Sequence, residues 1–334
     1  MDNRLFSVFL LGAALLCASV SGIALAQTKA GSDADRGGGA VVIDNGVSGD
    51  GAWQVEVGPG GDTREGILDA VGFEPENLVY DFFTYVDDGA DGSFEPLSDI
   101  SLSSSPTLTG TGEVTSSGSF TGPNGTIEWT AVATIPQGET IYEVTITFTS
   151  SSPFGNVRVI NYFDQDVFGP GDDVLILLGT PGQPDFQMLT LDDTDDVGIG
   201  HFADYFPGSD ATYLGFAADE YPQLKSAIES GTASFSVNGV IDTTSLPPIT
   251  DPRFPGADAF GPADITGAYG FELDPTSTEA TLAFALGGSI SGDPVGPQPD
   301  PVAPVSVPTM SHIGFFILAL TLLIVGVFGV RRLV

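Results

Sequence analysis

Two stretches in the middle of the chain alternate apolar and polar residues one for one. Such a chain can bury its apolar set only as β-strands. Ile127, Trp129, Ala131, Ala133 and Ile135 fall on one side, with Glu128, Thr130, Val132 and Thr134 on the other. Tyr142, Val144, Ile146 and Phe148 alternate with Glu143, Thr145 and Thr147 in the same way. Successive strand side chains point to opposite faces, whereas a helix would scatter this pattern around its circumference. Pro136-Gln137-Gly138-Glu139 joins the two runs, and its turn-forming residues predict an antiparallel hairpin.

The same reading places further strands over residues 53–57, 78–86, 157–163, 174–178, 186–191, 212–216, 234–241 and 281–286. Glycine, proline, aspartate and serine punctuate them. One short helix is expected, with Pro222 in its first turn, Leu224, Ala227 and Ile228 on one face, and Gly231 closing it. Many short strands and one helix define an all-β class: a β-sandwich, jelly-roll-like or a larger sandwich. Two stacked sandwiches dividing near residue 150 form the second choice.

The two ends read differently. Arg4 precedes an apolar run, and Ala24-Leu25-Ala26 sets small residues before Gln27, so residues 1–26 are expected to be a secretory signal cleaved before Gln27. The single cysteine, Cys17, lies inside that segment, so the mature chain is expected to hold no disulfide, thiolate metal site or cysteine nucleophile. Residues 27–40 form a glycine-containing lead-in, and the acidic body runs over 41–290. Residues 291–306 carry Pro294, Pro297, Pro299, Pro301 and Pro304, a semi-rigid linker. A second apolar run, 313–330, ends in Arg331-Arg332. As a helix it spans about 27 Å, close to the ~30 Å hydrocarbon core, and the arginines put the body on the outer side.

Val307-Pro308-Thr309-Met310-Ser311-His312-Ile313-Gly314, followed by the apolar run and the arginine pair, resembles the IPTL-CTERM protein-sorting domain. That family is related to the PEP-CTERM signals of Gram-negative, exopolysaccharide-producing bacteria. Val307, Pro308, Thr309, Ser311 and Gly314 match its pattern; Met310 stands for leucine, and Ile313 stands where the family has tryptophan. The resemblance covers residues 307–334 alone. It implies an exosortase-like membrane enzyme as partner and cleavage near the Pro308-Thr309 step. The product would pass through an inner-membrane-anchored intermediate to the cell surface or the extracellular space.

Charge narrows the partners. The chain has 44 acidic residues against 9 lysines and arginines, a net charge of −35. Such a surface repels nucleic acid and anionic lipid and favours cations. No Gly-x-Ser-x-Gly elbow, phosphate-binding loop, dinucleotide fingerprint or His-Glu-x-x-His motif occurs. His201 is the one histidine of the body, set beside aromatic residues in the manner of a core residue. Three acid clusters stand out: Asp87 to Asp91, Asp164 to Asp173, and Asp192 to Asp196. The second is preferred as a calcium site, with Asp164, Asp166, Asp172 and Asp173 as ligands, because it follows a strand and calcium takes six to eight hard oxygens. Arg158 is expected to pair with a carboxylate.

From sequence alone, the body reads as a non-enzymatic surface or matrix module that binds calcium, polysaccharide or another surface protein. The alternative is a secreted carbohydrate-active hydrolase using paired carboxylates, with Tyr162, Phe163, Tyr205, Phe206 and Tyr213 as aromatic candidates for stacking on sugar.

Overall fold

The computed structural model describes residues 39–69, 74–87, 93–167, 169, 171–183, 185–192, 197–204 and 211–289. The expected signal segment, the proline-rich linker, and the sorting signal with its apolar run lie outside them. Among the described residues no helix is long and apolar enough to cross a membrane.

In chain order the first strands are β1 (Val41–Asp44), β2 (Trp53–Val57), β3 (Gly66–Leu68), β4 (Glu76–Asn77), β5 (Asp81–Asp87), β6 (Glu95–Pro96), β7 (Leu102–Gly110), β8 (Glu113–Gly122), β9 (Gly125–Thr134) and β10 (Ile141–Ser150). There follow β11 (Arg158–Asp164), β12 (Asp173–Leu178), β13 (Gln187–Asp192), β14 (Gly198–Asp204) and β15 (Ala211–Glu220). Helix α1 (Gln223–Glu229) precedes β16 (Val240–Ile241), β17 (Pro248–Ile249), β18 (Asp258–Ala263), β19 (Ile265–Leu273) and β20 (Glu279–Ser289). A ten-stranded sheet runs β17-β18-β12-β13-β14-β20-β10-β9-β8-β7, a six-stranded sheet β16-β15-β19-β11-β5-β6, and a small one β1-β2-β3-β4. Strands β5 and β11 come from opposite sides of residue 150 and pair along their whole length. All described residues fall in one compact unit.

The predicted hairpin is β9–β10, with Glu143 opposite Thr134 and Ser150 opposite Ile127. Gly138 in its turn has φ +82°, a conformation that costs glycine little. The alternation works as expected: Ile127, Trp129, Ala131 and Ala133 are buried, as are Val144, Ile146 and Phe148, while their polar neighbours face outward. One expectation is corrected. Residues 234–241 are not a strand over their length; only β16 and a single bridge at Ser236 form there. Polar Asn238 and positive-φ Gly239 break the run, and Val237 and Val240 stay exposed.

Trp53 of the small sheet, Trp129 and Phe148 of the large one, and Phe163 and Phe271 of the six-stranded one join a single buried cluster. His201 lies between the large sheets. Its Nε2 donates to Asn161 Oδ1 of β11 at 2.6 Å, because the Asn161 amide is already donating to Thr84 Oγ1. Tyr269 of β19 donates its hydroxyl to the His201 carbonyl at 2.9 Å. The rings of Phe163 and Tyr269 sit 4.2 and 4.6 Å from the imidazole, and burial holds His201 neutral, its pKa well below the usual range. It is a core residue, as the sequence suggested.

A tight turn at Pro59–Gly61 ties the sheets together. Gly60 donates to Ser116 Oγ of β8, Tyr142 of β10 donates to the Gly61 carbonyl, and Thr84 of β5 donates to Asp62 Oδ1. Burial raises the Asp62 pKa from 3.8 to about 7, against the opposing hydrogen bonds from Thr84 and Ser98. A carboxyl raised in this way stabilises the fold fully below its unfolded value, and the contribution is lost as pH rises through about 7. The displacement is equivalent to at most roughly 4 kcal/mol. Denaturation midpoints should therefore fall for the native chain between about pH 4 and 7, and Asp62→Asn should flatten that slope. A slope unchanged by the substitution would contradict the assignment.

Candidate functional site

The chemistry gathers at one end of the six-stranded sheet. Asp164 closes β11, opposite Asp81 of β5 and Thr266 of β19. Asp166 follows two residues later, and Asp264 occupies the one-residue step between β18 and β19. Carboxylate oxygens of Asp164, Asp166 and Asp264 lie within 4.8 Å of one another. The backbone fixes them: Tyr80 donates its N–H to the Asp164 carbonyl and Tyr221 donates to that of Asp264, each at 2.9 Å. The rings of Tyr80 and Tyr221 meet edge to face at 6.0 Å beside the cluster.

Asp164 is 1 % exposed and Asp173 0 %, whereas Asp166 and Asp264 are half-buried. No protein donor reaches Oδ1 of Asp164 or Oδ2 of Asp173; Asp173 Oδ1 accepts from Val167 N–H at 3.3 Å. Burial is the main reason that the Asp164 pKa rises to about 9, with Asp166, Asp264 and Asp81 adding repulsion and Lys225 opposing. Burial likewise lifts Asp173 to about 9, with Asp166 the next cause. Gln165, between the two acids and 0 % exposed, also has a side-chain amide that no protein group meets.

The preferred sequence cluster is thus brought together in part. Asp164 and Asp166 converge, Asp173 is buried alongside them, and Asp172 is exposed and stays apart. Asp172 lies one residue ahead of β12, in the exposed turn before the strand, whereas Asp173 is the first buried residue of the strand. Asp264 takes the place expected of Asp172. Its sequence signal was faint, a lone acid after Gly261-Pro262-Ala263 with no acidic neighbour.

Asp81 stands next to the cluster and is handled differently. Lys225 Nζ lies 2.6 Å from its Oδ2, and Arg64 Nε 3.6 Å from its Oδ1. Both cations also sit over the Phe83 ring. Burial still outweighs them, leaving the Asp81 pKa raised.

The other candidates have structural roles. Arg158 Nε and Nη2 both donate to Asp87 Oδ2, at 3.0 and 2.7 Å, as the sequence anticipated. Residues 88–92 and 193–196 lie outside the described residues, as do Tyr205 and Phe206. Tyr162 and Phe163 are fully buried, and Tyr213 packs on Tyr269 and Phe271. None of these three is presented for stacking on a ligand. Tyr80 and Tyr221, which the sequence did not single out, are partly buried and pack on each other at this end.

No protein-family model matches the chain, and no curated protein matches it in sequence. Similar solved structures include a bacterial glucoamylase complexed with acarbose (TM-score 0.46, 10 % identity), covering 77 % of this chain and 33 % of the glucoamylase. The chain thus spans about a third of that protein's length. A galactose mutarotase related enzyme from Lactobacillus acidophilus is similar at TM-score 0.42 and 8 % identity, over 77 % of this chain and all of its own. A putative aldose 1-epimerase from Escherichia coli K12 follows at 0.37 and 10 %, over 75 % and 99 %. These three similar structures are carbohydrate-active enzymes, where the sequence led to the expectation of a non-enzymatic body. No residue role passes to this chain from likenesses at this level.

Lys225→Met tests the ion pair at the edge of the site. It leaves Asp81 buried with only Arg64 at longer range, and should cost roughly 3 kcal/mol in denaturant unfolding at pH 7. Asp81→Asn in the same background should recover most of that loss; failure to do so would mean that the lysine acts through its packing on Phe83 instead.

Proposed function

We propose that this is an exported carbohydrate-active protein that cleaves glycosidic bonds of a polysaccharide with paired carboxylates from the Asp164–Asp166–Asp264 cluster. The convergence of those three acids within 4.8 Å carries the reading. Glycoside hydrolysis asks for two carboxyl groups across the scissile bond, roughly 5–5.5 Å apart for retention and 6.5–9.5 Å for inversion. Three carboxylates whose oxygens come within 4.8 Å of one another can supply such a pair. Half-burial gives Asp166 and Asp264 access to a sugar, and Tyr80 and Tyr221 supply rings beside them. An acid-rich surface with few cations suits a neutral substrate better than an acidic one.

The test is release of reducing ends from neutral polysaccharides. Asp166→Asn and Asp264→Asn should each lower the rate at least 100-fold, with the fold intact by circular dichroism. Activity indifferent to both substitutions would overturn the reading.

Export belongs to the same proposal. Residues 1–26 supply the signal and 307–334 the sorting tail that resembles the IPTL-CTERM domain. The mature product should begin at Gln27 and have lost the arginine-ended tail near Pro308-Thr309. Intact-mass measurement of the native protein checks both ends, and an unprocessed chain recovered from the cytosol would refute it.

A further inference from the structure

We infer that Asp164, Asp166 and Asp264 form a binding site for a hard divalent cation of the calcium class. The inference goes beyond the sugar-cleaving reading and rests on it for the location of the site: a carboxylate that ligates the ion is not, while the ion is bound, the free nucleophile or proton donor. Calcium holds oxygen at about 2.3–2.6 Å, so two oxygens on one ion stand at most about 4.6–5.2 Å apart. The three carboxylates satisfy that limit for every pair among them.

A second observation points the same way. Asp173 is 0 % exposed, its Oδ2 receives no hydrogen bond from the protein, and the neighbours whose charge it feels include Asp166 and Asp264. Asp164 is likewise buried, with Oδ1 unmatched. Buried carboxylates are ordinarily paired with a cation or a set of donors. Lys225 and Arg64 contact Asp81. A divalent ion brings positive charge to the point where the three acids converge.

The geometry also explains why the ligands come from separate loops. Asp164 and Asp166 flank the exit of β11, and Asp264 enters from the β18–β19 step, so an ion links strands of both large sheets. Three carboxylates leave several of six to eight coordination positions for water or for the hydroxyls of a sugar.

The ion site is tested without sugar. Calcium added to chelator-stripped protein at about 100 times its dissociation constant should raise the melting temperature by about 5 °C or more. Asp264→Asn and Asp166→Asn should abolish the shift, while Asp172→Asn should keep it. Both site variants should melt, when stripped, no lower than the stripped native chain, because each removes like-charge repulsion; this separates lost binding from lost folding. Terbium in place of calcium should show emission sensitised by tyrosine, since Tyr221 is bonded through its backbone to Asp264, and the emission should fall at least tenfold in Asp264→Asn. No shift at millimolar calcium, or an equal shift in Asp264→Asn, overturns the site. Polysaccharide cleavage by a protein giving that result would leave the hydrolase reading standing and remove the ion alone. A calcium shift in a protein that cleaves no polysaccharide would do the reverse.

Discussion

The body depends on two sheets gripping one aromatic layer. Its described part contains no cysteine, so covalent cross-links contribute nothing and apolar contact must hold the sandwich. His201 is a polar element in that layer, bonded to the opposing sheet through Nε2 and its carbonyl, while Nδ1 meets no protein group. Asn161 accepts from the ring, Tyr269 donates to the backbone, and both come from the opposing sheet. A buried polar link of this type is stabilising only when its geometry is satisfied, and it restricts how the sheets can slide over one another. The aromatic rings packed around His201 then have one arrangement available. Every strand end, including the end that carries the acids, takes its position from that registration.

Against this apolar order, the acids at the end of β11 are expensive. Asp164 and Asp173 are withdrawn from water, each with one oxygen that no protein donor reaches. Asp81, opposite Asp164 in the six-stranded sheet, shows the ordinary solution, with Lys225 and Arg64 brought to it. Two treatments of the same side chain side by side indicate that the first is not a failure of packing. Local rules are broken most often where a site needs the resulting reactivity or affinity. Tyr80 and Tyr221 pack edge to face beside these acids.

Much of the fold was legible because the central strands bury one face and wet the other. The hairpin of β9 and β10 could be read residue by residue, and β2 matched to the residue. Strands β7 and β8 escaped notice since serine, threonine and glycine blur the alternation. Strand β19 escaped for a different reason. A Cβ on Gly267 would run into the Phe163 ring, and one on Gly270 would crowd Phe235. Those rings fill the space above the glycines, and the buried run of β19 on both faces leaves no one-for-one alternation to read. Of the site, Asp164 and Asp166 were readable as an acidic turn after a strand. Asp264 was not, because its partnership with them spans about 100 residues and is set by strand order, which no local pattern encodes.

That strand order has a consequence for how the molecule is made. Strand β20 is the last of the described strands to be synthesised, yet it lies in the middle of the ten-stranded sheet, between β14 and β10. Until it arrives, the two halves of that sheet share no hydrogen-bonded seam. A chain terminated before β20 would be left with two open edges ready to stick to its neighbours.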